Sequence, residues 1–213
     1  MILDKKTTDF LAELSSAAPV PGGGGAAAAV GAFAAALGLM VANLTVGKKT
    51  YAAVEEEIRR TRTRLEELRD KLVELADEDA RAFEPLAQAY RLPKDTEEER
   101  ERKAQVMEQA LLGASLAPLS VMETIVEAME FLGILGEKGS RLAVSDAGVG
   151  ILFAQAALEG ASLNVFINTK MMRNREKAEE LNARAYALIR EGRERKERIY
   201  GRVLAEIGQE ELL

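Results

Sequence analysis

Between Leu14 and Gly47 the chain carries no charged side chain. Pro19, Pro21 and the glycines 22–25 break that stretch near its start, and the remainder is mostly Ala and Gly, with Asn43 and Thr45 near the end. About 21–24 residues then remain, nominally enough to cross a bilayer. Ala and Gly gain little from lipid, however, and the charge-rich segments beyond Gly47 favour a helix clasped inside a protein. No membrane association is therefore expected. Such a helix presents almost bare backbone, so its neighbours must come close. Gly24, Ala28, Ala32 and Ala36 recur every four residues and mark the expected contact face.

The chemistry open to the chain is narrow. Among 213 residues there is neither cysteine nor histidine. Disulfides, thiolate nucleophiles, Ser-His-Asp or Cys-His catalysis and the usual zinc sites are excluded, and acid–base work falls to Asp, Glu, Lys, Tyr or a held water. The length suits one domain, 1–213, with a core of its own. The start, Met1-Ile2-Leu3-Asp4-Lys5-Lys6, lacks the order of a signal peptide, and a cytoplasmic protein is expected.

No segment alternates strictly with β-branched residues, so the fold class expected is all-α. Thr7 or Thr8 is placed to cap a short first helix with Phe10, Leu11 and Leu14 on one face. The apolar helix should run from about Gly24 to Val46. A third, from about Tyr51 to Arg91, reads as heptads, with Ile58, Leu65, Leu72, Asp79 and Leu86 at one inner position and Leu68, Leu75 and Ala82 at the other. Pro85 should kink it. Thr96 with Glu99 forms a capping box for the next helix, which Pro118 should split in two. Ser145 or Asp146 is expected to cap a long Ala- and Gly-rich helix, and Asn174 the last. Six or seven helices on short connections make an antiparallel bundle.

Asp79 is the wrong residue for a packed seam. It is either a structural ion pair with an Arg from another helix or a functional carboxylate tuned by burial. Asp146, Gly150, Ala157, Ala161, Asn164 and Asn168 share one helical stripe, polar at both ends and small in the middle. Ser145 and Asp146 are caps or site residues; Asn164 and Asn168, among apolar neighbours, belong inside and need partners. The run Pro21-Gly22-Gly23-Gly24-Gly25 opens a helix with free backbone N–H groups, though no G-K-[ST] comes after it and no strand precedes it, so no P-loop or dinucleotide fingerprint is present. Lys48, Lys49 and Tyr51 return a cation toward the site or form a solvated helix end. The last helix has ten Lys/Arg against six Glu between Arg173 and Arg202. Its interleaved charges and the net charge of −6 argue against nucleic acid.

These motifs together resemble a known family. Ala18-Pro-Val-Pro-Gly-Gly-Gly-Gly25, Asp77-Glu-Asp-Ala-Arg-Ala-Phe83, Arg91-Leu-Pro-Lys-Asp-Thr-Glu-Glu-Glu99, Ser145-Asp146 and Leu163-Asn-Val-Phe-Ile-Asn168 resemble, in order, signatures of the cyclodeaminase domain of formiminotransferase-cyclodeaminase, a family that includes free-standing methenyltetrahydrofolate cyclohydrolases. The family loop often reads Pro-Gly-Gly-Gly-Ser, and here Gly25 stands in place of that serine. The resemblance implies an all-α homodimer with its folate cleft near the dimer interface. The implied substrate is a tetrahydrofolate one-carbon derivative, handled without metal or redox cofactor. The reaction is either cyclodeamination of 5-formiminotetrahydrofolate or hydrolysis of the 5,10-methenyl bridge. A non-catalytic folate-binding relative is the alternative from another class, and a separate formiminotransferase chain is a candidate partner. On that footing Asp79 or Asp146 is the acid or base, and Lys49 supplies a proton or holds the glutamate tail. Asn164 and Asn168 fix the pterin edge, Gly22–Gly25 let backbone approach the ring, and Pro21 and Ser145 are further substrate-binding candidates.

Overall fold

The computed structural model describes residues 1–209, and among these there are six α-helices and no strand. They are α1 (Thr7–Leu14), α2 (Gly23–Asn43), α3 (Glu55–Tyr90), α4 (Glu97–Lys138), α5 (Val144–Met171) and α6 (Arg175–Glu206). Short 3-10 turns lie at Ile2–Asp4, Lys49–Val54 and Arg141–Ala143.

The apolar helix α2 is packed against α3, α4 and α5. Its small residues admit large neighbours: a Cβ on Gly38 would stand 2.9 Å from both Leu65 and Leu132, and one on Gly31 would stand 3.1 Å from Ile125. The every-fourth-residue stripe needs correction. Gly24, Ala28 and Ala32 are buried, but Ala36 is exposed. Four residues overshoot a 3.6-residue turn by about 40°, so three steps carry the position out to solvent. Ala35, Gly38 and Ala42 take over inside.

On α3 the heptad residues Ile58, Leu65, Leu68, Leu72, Leu75 and Leu86 are all buried, as expected. Lys138 bonds Glu57 at 2.7 Å and Arg64 bonds Glu127 at 2.7 Å, so α3 and α4 run in opposite directions. The α2–α5 pair also opposes: Gly23 lies against Asn164, Gly160 against Ala27, and Gly150 against Leu37. Gly23–Asn43 and Arg141–Met171 are long and apolar enough to cross a membrane by length and composition; 67% of the most apolar stretch of the first is buried inside the protein.

Several helix boundaries differ from expectation. Neither Thr7 nor Thr8 caps α1, which begins after Lys6 without a side-chain cap. The 3-10 turn Lys49–Val54 occupies the start expected for α3. Ser145 and Asp146 do not cap α5, because the 3-10 turn at Arg141–Ala143 feeds directly into it and both lie in its first turn. The Thr96/Glu99 capping box and the Asn174 cap do form.

Neither proline ends its helix. Pro85 sits on the exposed side of α3, which continues through it. Pro118 is buried within an unbroken α4. A proline removes the hydrogen bond to the carbonyl four residues earlier, here Ala114. That carbonyl finds another donor, the Asn168 side chain of α5 at 2.8 Å, and so the helix persists.

Candidate active site

Six of the residues singled out in the sequence, Gly22, Gly23, Gly24, Asp79, Asn164 and Asn168, meet where α2 begins. A cleft of about 230 Å³ is lined by Pro19, Val20, Gly22, Gly23, Gly24, Asp79, Phe83, Ala114, Asn164, Ile167 and Asn168. The glycine loop forms one wall. α3 brings Asp79 and, one turn later, Phe83; α4 brings Ala114; α5 brings the two asparagines.

The glycines act here by size rather than by backbone freedom. Gly22, which precedes α2, has φ −120°, and none of the four has a positive φ. Gly24 is the tight point: a Cβ there would fall 2.4 Å from Cγ of Asp79, on top of the carboxylate. A Cβ on Gly25 would find only ordinary contacts at 3.7 Å, with Ala76 O and Pro21 Cβ. Pro21, whose bond to Val20 is cis, thus backs the loop rather than lining the cleft.

Asp79 is half-buried, and among the described residues no Lys or Arg stands within ion-pair distance of it. The structural ion-pair reading therefore falls. Burial pushes its carboxyl up from the ordinary value, opposed by the Gly25 backbone N–H that donates to it. Burial wins. The group sits at the start of α2, where free N–H groups favour negative charge, yet holds its proton to higher pH than a solvated aspartate. A carboxyl poised in this way can both give and take a proton.

The asparagines each spend one donor on a carbonyl: Asn164 Nδ2 donates to Gly160 O at 3.2 Å and Asn168 Nδ2 to Ala114 O at 2.8 Å. An amide has two donors and an acceptor oxygen, so each keeps a donor and its Oδ1 for a ligand. The pattern suits a flat ring edge bearing donors and acceptors. Phe83, half-buried on the same face of α3 as Asp79, adds an apolar surface for a ring. It escaped selection in the sequence because a phenylalanine four residues after a seam position reads as core; the signal was that same four-residue spacing from Asp79.

Lys49, Ser145 and Asp146 are elsewhere. Lys49 and Ser145 are exposed and Asp146 is half-buried, all at the opposite end of the α2–α5 pair. α2 has 21 residues, which at 1.5 Å per residue separates the two ends by about 30 Å. No single copy of the chain brings these three residues to Asp79.

The comparisons with known proteins agree with one another. The family model described as formiminotransferase-cyclodeaminase matches residues 6–187. A methenyltetrahydrofolate cyclohydrolase of Methylorubrum extorquens is 41% identical over 93% of this chain and 95% of its own. Mouse formimidoyltransferase-cyclodeaminase is 33% identical over 90% of this chain, which spans only 36% of that longer protein. The crystal structure of formiminotetrahydrofolate cyclodeaminase from Thermotoga maritima superposes with a TM-score of 0.80 at 30% identity, covering 98% of both chains.

Proposed function

Because this chain belongs to the formiminotransferase-cyclodeaminase family, we propose that it forms or opens the 5,10-methenyl bridge of tetrahydrofolate, with Asp79 moving the protons. The observation that carries the reading is the half-buried Asp79 carboxyl, raised by burial and facing a cleft whose other polar groups are amides.

In cyclodeamination N10 attacks the formimino carbon on N5, giving a tetrahedral carbon between two nitrogens. With the formimino nitrogen entering as its protonated amidinium, the N10 proton must leave and the departing NH2 must gain one to go as ammonia, and a single carboxyl does both in turn. In hydrolysis of the methenyl bridge, water adds to that carbon and the carboxylate takes one of its protons; the acid returns it to N5 as the C–N5 bond breaks, and the remaining hydroxyl proton leaves to solvent as the formyl C=O forms. Each sequence begins with an ionised Asp79 and regenerates it. General acid–base assistance of this kind is worth roughly 10²–10⁴ in rate. Asn164 and Asn168 hold the pterin edge, and the bare Gly22–Gly24 backbone lets the ring approach.

The shared motifs belong to both enzymes and leave cyclodeamination and hydrolysis open. The cyclohydrolase reading is favoured by the 41% identity along nearly the whole of a protein bearing that name. Purified protein given 5-formimino- and, separately, 5,10-methenyltetrahydrofolate decides between them. Ammonia release with a growing methenyl absorbance identifies the deaminase. Loss of that absorbance without ammonia identifies the hydrolase. Folate binding without turnover of either leaves a non-catalytic binder. For the deaminase, a separate formiminotransferase chain would supply the substrate.

The working unit is a homodimer. Apolar side chains line the outward faces of α2 and α5, with Phe33 and Met40 on the first and Leu152, Phe153, Leu163 and Ile167 on the second; Leu142, just before α5, is 90% exposed. A second copy packed antiparallel on this face covers it, and sets the Lys49, Ser145 and Asp146 end of one copy beside the Asp79 cleft of the other. Sedimentation should give twice the 213-residue mass, and Leu152→Glu with Phe153→Glu should halve it.

A further inference from the structure

We infer that Pro118 is a positioning residue for the folate cleft: by lacking an N–H it hands the Ala114 carbonyl to Asn168, and so fixes which way the Asn168 amide points. The inference rests on the folate reading only for its effect on substrate.

In an uninterrupted helix the Ala114 carbonyl would accept the N–H of residue 118. Pro118 has none, and its ring crowds that carbonyl aside. One turn earlier Ser115 Oγ donates back to Leu111 O at 2.8 Å, a contact that itself bends helices. Ala114 and Pro118 are both buried, so an orphaned carbonyl between them would be costly. Asn168 Nδ2 meets it at 2.8 Å from another helix, 54 residues along the chain.

This bond does more than repair α4. A side-chain amide can be turned over, exchanging its oxygen and its nitrogen. A carbonyl acceptor at Ala114 permits only one of the two orientations, since Oδ1 placed there would set two acceptors against each other. The nitrogen is therefore held toward α4, and Oδ1 and the second N–H are left for the cleft. Ala114 and Asn168 both line that cleft, so the bond lies in its wall. The buried proline, an apparent defect in α4, selects the hydrogen-bonding pattern that the site offers to a ring edge.

The test is a double-mutant cycle of Pro118→Ala with Asn168→Ala, read on substrate affinity and on the Asn168 side-chain amide signals. Alanine is the better helix former, so Pro118→Ala should fold, and it restores the backbone bond to Ala114. In the unliganded protein the Asn168 Nδ2 protons should then exchange about tenfold faster, reflecting loss of one partly buried hydrogen bond. KM should rise about fivefold, with kcat held within about twofold. Asn168→Ala alone should raise KM similarly, and the double variant should be no worse than that single one. Asn168→Asp supplies a readout independent of activity. It sets a carboxylate against the bare carbonyl and should lower Tm, and the N–H introduced by Pro118→Ala should rescue much of that loss. Additive effects on KM, unchanged amide exchange in Pro118→Ala, or no rescue of Asn168→Asp would each overturn the inference. A wild-type protein that binds no folate but shows the exchange change and the rescue would instead remove the folate reading and keep the positioning.

Discussion

Both ends of the α2–α5 pair carry polar side chains, and they put them to different uses. At the start of α2, Asp79, Asn164 and Asn168 surround a concave space and keep hydrogen-bonding capacity unspent. At the other end the polar groups close the fold. Thr45 Oγ1 donates to Val41 O at 2.7 Å and accepts the Ser140 N–H at 2.8 Å, while the Tyr51 hydroxyl accepts the Arg141 N–H at 3.0 Å. Lys49 and Ser145 face solvent there. Polar chemistry near a helix end is therefore common to both; what distinguishes the first end is missing bulk. Gly24 leaves room for a carboxylate, and Pro118 leaves a carbonyl for an amide.

The comparison breaks first, and most severely, at Gly24. Gly24→Ala places a methyl group on the Asp79 carboxylate, a clash worth about 1–3 kcal/mol that moves the reacting group. Displacement on the order of 1 Å costs about a hundredfold in turnover, which steady-state kinetics would show. Gly25→Ala meets only ordinary contacts and improves helix propensity. It should retain activity and gain up to about 1 kcal/mol of stability in denaturant titration. Equal damage at the two glycines would mean that the loop responds to any added bulk and that Gly24 holds no special place.

A second effect, smaller and on stability, has a defined sign. The folded state holds the Asp79 proton to higher pH than the unfolded chain does. Between the ordinary carboxylate value and the raised one, the folded protein binds more protons, so this group makes stability fall as pH rises and adds a constant penalty above that window. Asp79→Asn should therefore raise Tm at neutral pH, and the gain should vanish in acid below the ordinary value. A lowered Tm at neutral pH would return Asp79 to a structural role.

The smallest effect belongs to the far end. Ser145 is exposed and caps nothing, so Ser145→Ala should shift stability by less than about 0.5 kcal/mol in chemical unfolding. A loss near 1 kcal/mol, the usual value of an N-cap, would show that it caps α5 in solution.

Much of the fold was legible because it rests on periodicity. Ile58, Leu65 and Leu72 repeat every seven residues, and Thr96 with Glu99 is a local signal that needs no tertiary context. Asp79 stood out because a carboxylate broke that repeat. Other features depended on partners distant in sequence. Pro118 reads as a break until Asn168 is seen to satisfy Ala114. Four consecutive glycines look alike until one of them faces Asp79. Ser145 looks like a cap until the 3-10 turn before it is seen to start α5. The separation of Lys49 and Asp146 from Asp79 follows from the direction of α5 against α2, which no local motif states.

The central claim is that Asp79 does chemistry in the cleft rather than hold the fold or merely grip the substrate. Steady-state turnover and folate affinity of Asp79→Asn, measured on the substrate that the wild-type protein converts, test it most directly. The account predicts a fall in kcat of about 10²–10⁴ with affinity within about threefold of wild type. Unchanged turnover, or losses in turnover and affinity of equal size, would contradict it.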